Sequence, residues 1–309
     1  MSERRLFISF SGGETSAFMA HLCLTEEAIR SQYDAVRVVF ANTGEENEET
    51  LDFVDRCDRH FGLNTVWVEA VIHHEERKSP THQVVNVNTA SRYGAPFEEA
   101  IRKYGIPNAK FKDCTRNLKL RPMESYLRSV GWAPGTYDTA IGIRDDERSR
   151  AVIGAERKRR RIVYPLIDYR PTTKPQVNAW WAAQPFRLNL KGFQGNCRWC
   201  WKKSFRKHLT LIQTAPEVFD FPRRMEEKYG TIGCEFNREP PPPPGYRRVF
   251  FRENRSVEDL FAEYEARKET FIPAHDDAQV FDAEMDVASA CEESCEIFVD
   301  DQDDQGGEE

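Results

Sequence analysis

Short apolar runs alternate with segments of helical hydrophobic spacing through the first half of the chain. The run at residues 6–10 ends at a Gly-Gly pair, and Phe18, Met19 and Leu22 then recur at the spacing of one helix face. Further strands are predicted at residues 36–41, 65–71, 137–143 and 162–166, and further helices at 48–61, 97–104 and 121–130. Strands that alternate with helices form parallel sheets covered on both faces. The pattern therefore predicts a doubly wound, mostly parallel α/β domain over residues 1–170.

The pattern changes after residue 170, where helical spacing continues without a convincing strand. Helices are predicted at residues 174–184 and 201–215. A run of five prolines at 240–244 predicts an extended linker. We therefore expect a helical region over residues 171–273 that contains this linker.

The net charge of −7 hides an uneven distribution of charged residues. Residues 274–309 hold 14 of the 51 Asp and Glu and no Lys or Arg, so we expect this acidic tail to be disordered. The remaining 37 acidic residues share residues 1–273 with all 44 Lys and Arg, which gives that part a net charge of +7. A basic body predicts an anionic partner such as a nucleotide, a sulfate ester or a nucleic acid.

The apolar runs are all much shorter than the roughly 20 residues of a membrane-spanning helix. The N-terminal segment turns polar by Ser9 and lacks the apolar centre of a secretory signal. We therefore expect a cytoplasmic protein without membrane contact. Eight cysteines in that compartment do not form a disulfide framework, and some are expected to bind metal or perform redox chemistry. Cys23 and Cys57 lie in amphipathic segments and are expected to be core residues.

The segment from Ser11 to Ser16, with the sequence Ser-Gly-Gly-Glu-Thr-Ser, follows a predicted strand and opens a predicted helix. Such a loop directs backbone N–H groups and the positive end of the helix dipole at one point. Glycines allow a phosphate to approach the backbone, and hydroxyls add donors. The segment predicts a phosphate-binding loop whose candidate contacts are Ser11, Gly12, Gly13, Thr15 and Ser16.

This string resembles the PP-loop of the adenine nucleotide alpha-hydrolase superfamily. Further segments resemble the phosphoadenosine phosphosulfate (PAPS) reductase family in the expected order. They are Thr43-Gly44 with Glu49-Thr50, Cys114 to Pro122, Gly142 to Arg150, Tyr164-Pro165-Leu166, and a C-terminal segment from Cys291 to Phe298 that resembles phage and prophage members. The chain is identified as a member of this family, which implies an adenine nucleotide alpha-hydrolase-like fold.

The resemblance implies roles for four residues beyond the loop. Thr43 and Gly44 would line the nucleotide cleft, and Arg144 and Arg150 would hold sulfate or phosphate oxygens, because guanidinium groups bind oxyanions bidentately. Three acidic residues stand between the two arginines, so internal salt bridges are an open alternative.

Two residues depart from the superfamily pattern. Glu14 stands where many members have Lys and would place a negative charge beside the phosphates. Thr15 replaces the Asp of the ATP-cleaving pattern, which weakens the case for metal-assisted ATP cleavage, although Mg²⁺ remains a candidate cofactor.

Cys197 and Cys200 form a Cys-x-x-Cys pair, which by itself fits zinc, an iron–sulfur cluster or a redox dithiol. Adenylylsulfate reductases of the family combine such a pair with a distant cysteine pair before Lys-x-x-Pro to hold a [4Fe–4S] cluster. Cys114 matches the first cysteine of that distant pair. The resemblance therefore implies that Cys114, Cys197 and Cys200 hold a cluster. The fourth iron is either left without a protein ligand or bound by Cys234, Cys291 or Cys295.

The C-terminal cysteines have a second possible role. PAPS reductases attack the sulfur of the sulfonyl donor with a cysteine near the C-terminus, and Cys291 and Cys295 lie in the corresponding part of this chain. The resemblance makes them candidate catalytic nucleophiles, whereas an acidic tail with idle cysteines is the alternative.

The function implied is an enzyme that binds an adenine nucleotide, either PAPS, adenylylsulfate or ATP. It would perform sulfur reduction or sulfur transfer, aided by the cluster and by a thiol or electron donor protein. One alternative is ATP-dependent thiolation of tRNA or DNA. Another is a non-catalytic nucleotide- or nucleic-acid-binding protein, for which the basic run at residues 157–161 is a candidate backbone contact.

Overall fold

A six-stranded sheet organises the first part of the chain in the computed structural model, which describes residues 3–233 and 245–277. The strands lie in the order β4-β3-β2-β1-β5-β6. Their bounds are β1 Arg5–Ser9, β2 Ala35–Asn42, β3 Val66–Val71, β4 Thr81–Val85, β5 Asp138–Ala140 and β6 Ile162–Val163. Every pairing is parallel except that of β4 with β3. The predicted mostly parallel α/β fold is confirmed.

The strands differ from the prediction in two places. Strand β4 was missed because its sequence, Thr-His-Gln-Val-Val, has no apolar run and its residues are largely accessible at the edge of the sheet. The strand predicted at 162–166 ends after Val163, and a short helix begins at Pro165. Proline has no N–H for the ladder but suits the first turn of a helix.

Helices cover the sheet and form most of the C-terminal part. The α-helices are α1 Glu14–Thr25, α2 Glu27–Arg30, α3 Glu48–Phe61, α4 Ala95–Tyr104, α5 Arg121–Ser129, α6 Gly154–Arg159, α7 Pro165–Asp168, α8 Lys174–Ala182, α9 Phe205–Thr214, α10 Asp220–Tyr229 and α11 Val257–Arg267. A π-helix spans Thr115–Leu120, and 3-10 helices span Asp145–Arg150, Pro216–Phe219 and Arg252–Asn254. None of the helices in the described ranges is long and apolar enough to cross a membrane.

The helix predicted at 201–215 begins four residues later than expected. Helix α9 starts at Phe205 because the Ser204 side chain accepts a hydrogen bond from the Lys207 backbone N–H and so caps the first turn. Helix α10 was not predicted.

Three apolar clusters form the core. Alternate residues of β1 point to opposite faces of the sheet, so Leu6 and Ile8 join one cluster with α1 and α3, while Phe7 joins another with α5. The third cluster, defined here as the C-terminal cluster, joins α4 to α9, α10 and α11 and contains the fully buried Trp199. The structure thus places the segment around Trp199 against α4, in the half of the chain that forms the sheet.

Glu14 fastens the start of α1 to the segment after α8. Its carboxylate, 4% exposed, accepts bonds from Arg187 Nε at 2.9 Å, Arg187 Nη2 at 2.7 Å and the Leu188 backbone N–H at 3.1 Å. The Glu14 backbone carbonyl accepts a further bond from Trp181 Nε1 at 3.0 Å. The sequence predicted a negative charge at Glu14 beside the phosphates, and in the structure Arg187 neutralises this carboxylate.

Candidate functional site

The loop from Ser11 to Ser16 is held closed by its own hydroxyls. Ser16 Oγ accepts from the Ser11 N–H at 3.2 Å and from Ser11 Oγ at 2.8 Å, and donates to the Gly13 carbonyl at 3.0 Å. These two hydroxyls therefore shape the loop in this structure. The anion donors that remain are the backbone N–H groups of the first turn of α1, which have no partners inside the helix.

Gly12 is required by both conformation and space. Its φ is +89°, where residues with a Cβ are strained. A Cβ at this position would lie 2.9 Å from Thr50 Cγ2 and 3.0 Å from Phe40 Cε2. The loop therefore rests directly on β2 and on the first turn of α3, and only glycine permits that approach.

A second loop follows β2, the strand next to β1. Thr43 donates its N–H and its Oγ1–H to the carboxylate of the buried Glu46, with both distances 2.9 Å. Gly44 has a φ of +85°, and its N–H donates to Asn42 Oδ1 at 3.2 Å. Because β1 and β2 are parallel, the two loops lie at the same edge of the sheet, where open α/β sheets bind ligands.

The segment that leads into the Cys-x-x-Cys pair is bonded to both loops. Asn196 Nδ2 donates to the Ser11 carbonyl at 2.7 Å. Asn47 donates its backbone N–H to the Asn196 carbonyl at 2.8 Å and its Nδ2–H to the Gly195 carbonyl at 2.6 Å. A chain segment about 185 residues downstream of the loop thus becomes one of its walls.

Glu45 extends this attachment into the Cys-x-x-Cys pair itself. Its backbone carbonyl accepts from the Arg198 N–H at 3.0 Å, and its Oε2 accepts from Trp199 Nε1 at 2.6 Å. Both intervening residues of the pair are therefore anchored to the β2 loop. Burial raises the pKa of Glu45 to about 7, so this carboxyl is partly protonated near neutral pH.

Arg144 reaches the phosphate-binding loop, whereas the described contacts of Arg150 are with an acidic neighbour. Arg144 is buried and places Nη1 3.2 Å from Thr15 Oγ1, while its Nε binds Asp146 at 3.0 Å and its Nη2 lies 3.3 Å from Glu147. Arg150 Nη1 also pairs with Glu147. The internal salt bridges anticipated as an alternative are present, and Arg144 in addition contacts the loop.

The three candidate metal-ligating cysteines come from two distant segments that meet at the C-terminal cluster. Cys114 directly precedes the π-helix Thr115–Leu120, and both Cys114 and Cys197 pack against that cluster. The Cys200 N–H lies 3.4 Å from the Cys197 carbonyl, in a tight turn. Helices of the π type are rare and recur at functional sites.

The surroundings of the Cys-x-x-Cys pair are strongly basic. Residues 195–210 contain five Lys and Arg and no Asp or Glu. Lys203 is 1% exposed, and within the described residues its ammonium donates one hydrogen bond, to the Cys197 carbonyl at 3.2 Å. A buried lysine is normally paired with an anion. A thiolate or a thiolate-bound metal supplies such an anion.

His208 supports the same turn as a neutral group. Burial lowers its pKa to about 3, and its Nε2–H donates to the Cys200 carbonyl at 3.0 Å. It therefore fixes the backbone of the pair without adding charge.

Thiol chemistry and a basic surrounding fit an iron–sulfur group at Cys114, Cys197 and Cys200. Within residues 3–233 and 245–277, however, no group of three or more His, Cys, Asp or Glu converges on one point that could hold a metal ion. The remaining candidate ligands, Cys234, Cys291 and Cys295, lie outside the described residues, as do the roles predicted for the tail. Only the thiol chemistry of the three cysteines therefore supports their assignment as metal ligands, and the assignment stays a prediction.

The basic run at residues 157–161 offers less charge to a partner than its sequence indicates. Arg157 pairs with Asp168, Arg159 and Arg160 pair with Glu156, and Arg161 pairs with Asp138. Three acidic residues, of which Glu156 directly precedes the run, thus pair with four of its five basic residues, so the run gives little support to nucleic-acid binding.

Comparisons with known proteins agree with the geometry. A model of the phosphoadenosine phosphosulfate reductase domain matches residues 5–93, which hold β1 to β4 and both loops. The nin region protein ORF290 of Escherichia phage lambda is 31% identical over 296 residues, which cover 94% of each chain. This chain belongs to the phosphoadenosine phosphosulfate reductase family. Membership supports adenine nucleotide binding at the loops of the matched region.

Two proteins of Methanocaldococcus jannaschii are similar over shorter stretches. MJ0973 is 25% identical over 69% of this chain and 45% of its own length. MJ0066 is 28% identical over 40% of this chain and 20% of its own length. The names of these relatives state no activity, so the reaction of the PAPS reductase-family chain has to be inferred from its site.

Sequence reasoning missed the residues that join the two halves of the site. Asn196, Asn47 and Glu45 belong to no motif, and their role is visible only in the fold. The available signal was the Gly195-Asn196 dipeptide directly before Cys197, which marks a turn without indicating its partner.

We expect Gly12→Ala to abolish adenine nucleotide binding, because its Cβ would displace the loop from Thr50 and Phe40. Gly62→Ala is the matched control, since Gly62 also has a positive φ but nothing lies within 4 Å of an added Cβ. The free energy of unfolding should fall by about 1–2 kcal/mol in both variants because of backbone strain. It should fall further in Gly12→Ala. Calorimetry with ATP tests this, and normal affinity in a folded Gly12→Ala protein would remove the loop assignment.

The free energy of unfolding should fall as the pH rises from about 5 to 7. The folded protein binds the proton of Glu45 more tightly than the unfolded chain does, so stability is complete below pH 4.5 and is lost as the pH approaches 7. Glu226, whose pKa burial also raises to about 7, adds to the slope.

Urea titrations at several pH values test this expectation. Glu45→Gln should reduce the slope by up to about 1.4 kcal/mol per pH unit, whereas Glu76→Gln at an exposed position should leave it unchanged. An unchanged slope in Glu45→Gln would show that this carboxyl is ionised across the range.

Proposed function

We propose that this PAPS reductase-family chain is an enzyme that binds an adenine nucleotide and performs sulfur reduction or sulfur transfer at an adjacent cysteine centre. The observation that carries the proposal is the bond between Asn196 and the Ser11 carbonyl. It connects the residue before Cys197 to the residue that opens the phosphate-binding loop. A nucleotide on the loop and a sulfur centre at the Cys-x-x-Cys pair would therefore share one cleft.

The nucleotide end is built for an anion. The N–H groups at the start of α1 would donate to phosphate oxygens, and the guanidinium of Arg144, which already contacts Thr15, would neutralise the phosphate or sulfate that follows. Arg150 lies further along the same 3-10 helix and would assist once Glu147 releases it. The nucleotide substrate would be PAPS, adenylylsulfate or ATP, because each of them contains an adenylyl group that the loop would bind.

The sulfur end is built for a soft, negatively charged centre. Cys114, Cys197 and Cys200 would hold a [4Fe–4S] cluster, and the buried ammonium of Lys203 would offset its negative charge. When bound, the cluster would supply electrons or an open iron for a sulfur species. Cys291 and Cys295 are proposed as the nucleophile toward the sulfonyl sulfur or as the fourth ligand. Reduction also requires a thiol or electron donor protein as a partner.

Thiolation of tRNA is a second candidate, favoured by the charge near the cysteines. Residues 102–121, which contain Cys114, include seven Lys and Arg and one Asp, and residues 195–210 add five more basic residues. A polyanion next to an adenylylating site would be bound by such segments. In that reaction ATP, with Mg²⁺ on its phosphates, replaces PAPS. Binding of a tRNA pool that falls steeply with added salt would favour this candidate.

Iron analysis of anaerobically purified protein tests the proposal. The wild type should contain iron and acid-labile sulfide, and Cys114→Ser, Cys197→Ser and Cys200→Ser should each lose both, because every one removes a thiolate ligand. Cys23→Ser and Cys57→Ser are the matched controls. Both thiols are buried in the core, and burial raises the pKa of Cys23 to about 12, so they are inert.

Stoichiometric zinc without sulfide in the wild type would contradict the redox centre and indicate a structural site. Cys291→Ser and Cys295→Ser separate the two roles of the tail. Loss of iron from a variant would indicate that the cysteine is a ligand. Retained iron together with loss of sulfite release or of sulfur transfer would indicate that it is the nucleophile.

A further inference from the structure

Asn196 contains a buried hydrogen-bond acceptor without a donor. The side chain is 4% exposed, and its Oδ1 has no partner in the part of the chain that the structure describes. Its side-chain Nδ2 donates to the Ser11 carbonyl, and its backbone carbonyl accepts from the Asn47 N–H. A buried acceptor left alone costs about 1–3 kcal/mol, so an unpaired one calls for an explanation such as a bound ligand, ion or water.

The orientation of this amide is fixed by its neighbour. Rotating it by half a turn would place Oδ1 where Nδ2 now lies, 2.7 Å from the Ser11 carbonyl oxygen. Two acceptors at that distance repel each other. The unsatisfied atom is therefore Oδ1, and it needs an N–H or O–H donor.

The residues bonded to Asn196 direct their hydrogen bonds to acceptors other than its Oδ1. Asn47 directs its backbone N–H to the Asn196 carbonyl and its side-chain amide to the Gly195 carbonyl. The Ser11 hydroxyl donates to Ser16 Oγ inside the loop. Within the described residues no donor lies within hydrogen-bonding distance of Asn196 Oδ1, and Nδ2 of the same amide bonds the loop. The position of this side chain beside the loop therefore points to the loop's ligand as the donor.

We propose that Asn196 Oδ1 accepts a hydrogen bond from the nucleoside part of the adenine nucleotide, and so links nucleotide binding to the position of Cys197. Phosphate oxygens at neutral pH are acceptors and cannot serve. The donors that an adenine nucleotide carries are the 6-amino group of the base and the ribose hydroxyls. This inference rests on the nucleotide-binding part of the proposed function and is independent of the metal.

The link has a structural consequence for Cys197. Asn196 is held at both ends when the nucleotide is present, by the loop through Nδ2 and by the ligand through Oδ1. The next residue along the chain is Cys197, so an adenine nucleotide with the correct donor would fix the cysteine segment in place, and one without it would not. Asn196 thereby becomes a specificity-determining residue for the nucleoside.

A panel of four nucleotides identifies the donor. AMP carries the adenylyl group common to PAPS, adenylylsulfate and ATP. Purine riboside monophosphate lacks the 6-amino group, and 2′-deoxy-AMP and 3′-deoxy-AMP each lack one hydroxyl. Calorimetric titrations of the wild type should show one analogue about tenfold weaker than AMP, the effect of one buried hydrogen bond.

Asn196→Ala completes the test. This variant should bind AMP about tenfold more weakly than the wild type and should no longer distinguish AMP from that one analogue. Asn108→Ala is the matched control, since Asn108 is 7% exposed and its side chain bonds Val249, Lys110 and Phe111 far from the loop. It should retain the preference of the wild type.

Two results would overturn the inference, and they differ from failure of the proposed function. If the wild type binds AMP and all three analogues equally, Asn196 Oδ1 receives no bond from the nucleoside, and this holds whether or not the variant folds. If Asn196→Ala keeps the full discrimination, the donor binds elsewhere. A wild type that binds no adenine nucleotide at all would instead remove the nucleotide-binding function itself.

Discussion

The candidate site depends on the hydrogen bonds that hold the Gly195–Arg198 segment against the loops after β1 and β2. Asn196 contacts the first loop, and Asn47 and Glu45 hold the segment from the second. These groups are buried, where an unmade bond costs more than a made one gains. The attachment therefore works as a unit: losing one partner leaves the others buried and unsatisfied. This unit holds the loop after β1 and the distant cysteine pair next to each other.

A second buried contact explains why the C-terminal part can supply that segment. Glu14 begins α1 and is neutralised by Arg187, which lies between α8 and the cysteines. The same residue that departs from the superfamily pattern at the loop thus ties down the chain that carries the cysteine pair. A Lys at this position would face Arg187 and repel it, so the departure and the attachment depend on each other. The apolar C-terminal cluster around Trp199 then completes the packing.

Sequence patterns predicted the fold because its central strands are apolar and its loops contain glycine. The runs at β1, β2 and β3 and the Gly12 turn are local signals, and the fold confirms them. Strand β4 was not predicted because edge strands need no apolar alternation. Strand β6 is shorter than predicted because Pro165 cannot join a ladder of hydrogen bonds. The predictions of β4 and β6 failed because these strands lie at the two edges of the sheet, where their position and not a local apolar pattern determines their conformation.

The site was predictable only where its residues form a motif. Ser11 to Ser16, Thr43 and Gly44 could be named as candidates because each loop is contiguous in sequence. Asn196 and Glu45 could not, because their partners lie about 150 to 185 residues away and nothing local marks either side chain as a contact of a distant segment. The pairing of Arg187 with Glu14 was equally invisible, since it depends on how α8 packs against α1.

The central claim, that nucleotide binding at the loop fixes the cysteine segment, is tested most directly by amide hydrogen exchange with and without AMP. The account predicts that AMP slows exchange in two separate stretches, residues 11–16 and residues 195–198, by comparable factors. Peptides from α11, which lies apart from both loops, should not change. Slowed exchange in residues 11–16 with unchanged exchange in residues 195–198 would contradict the claim.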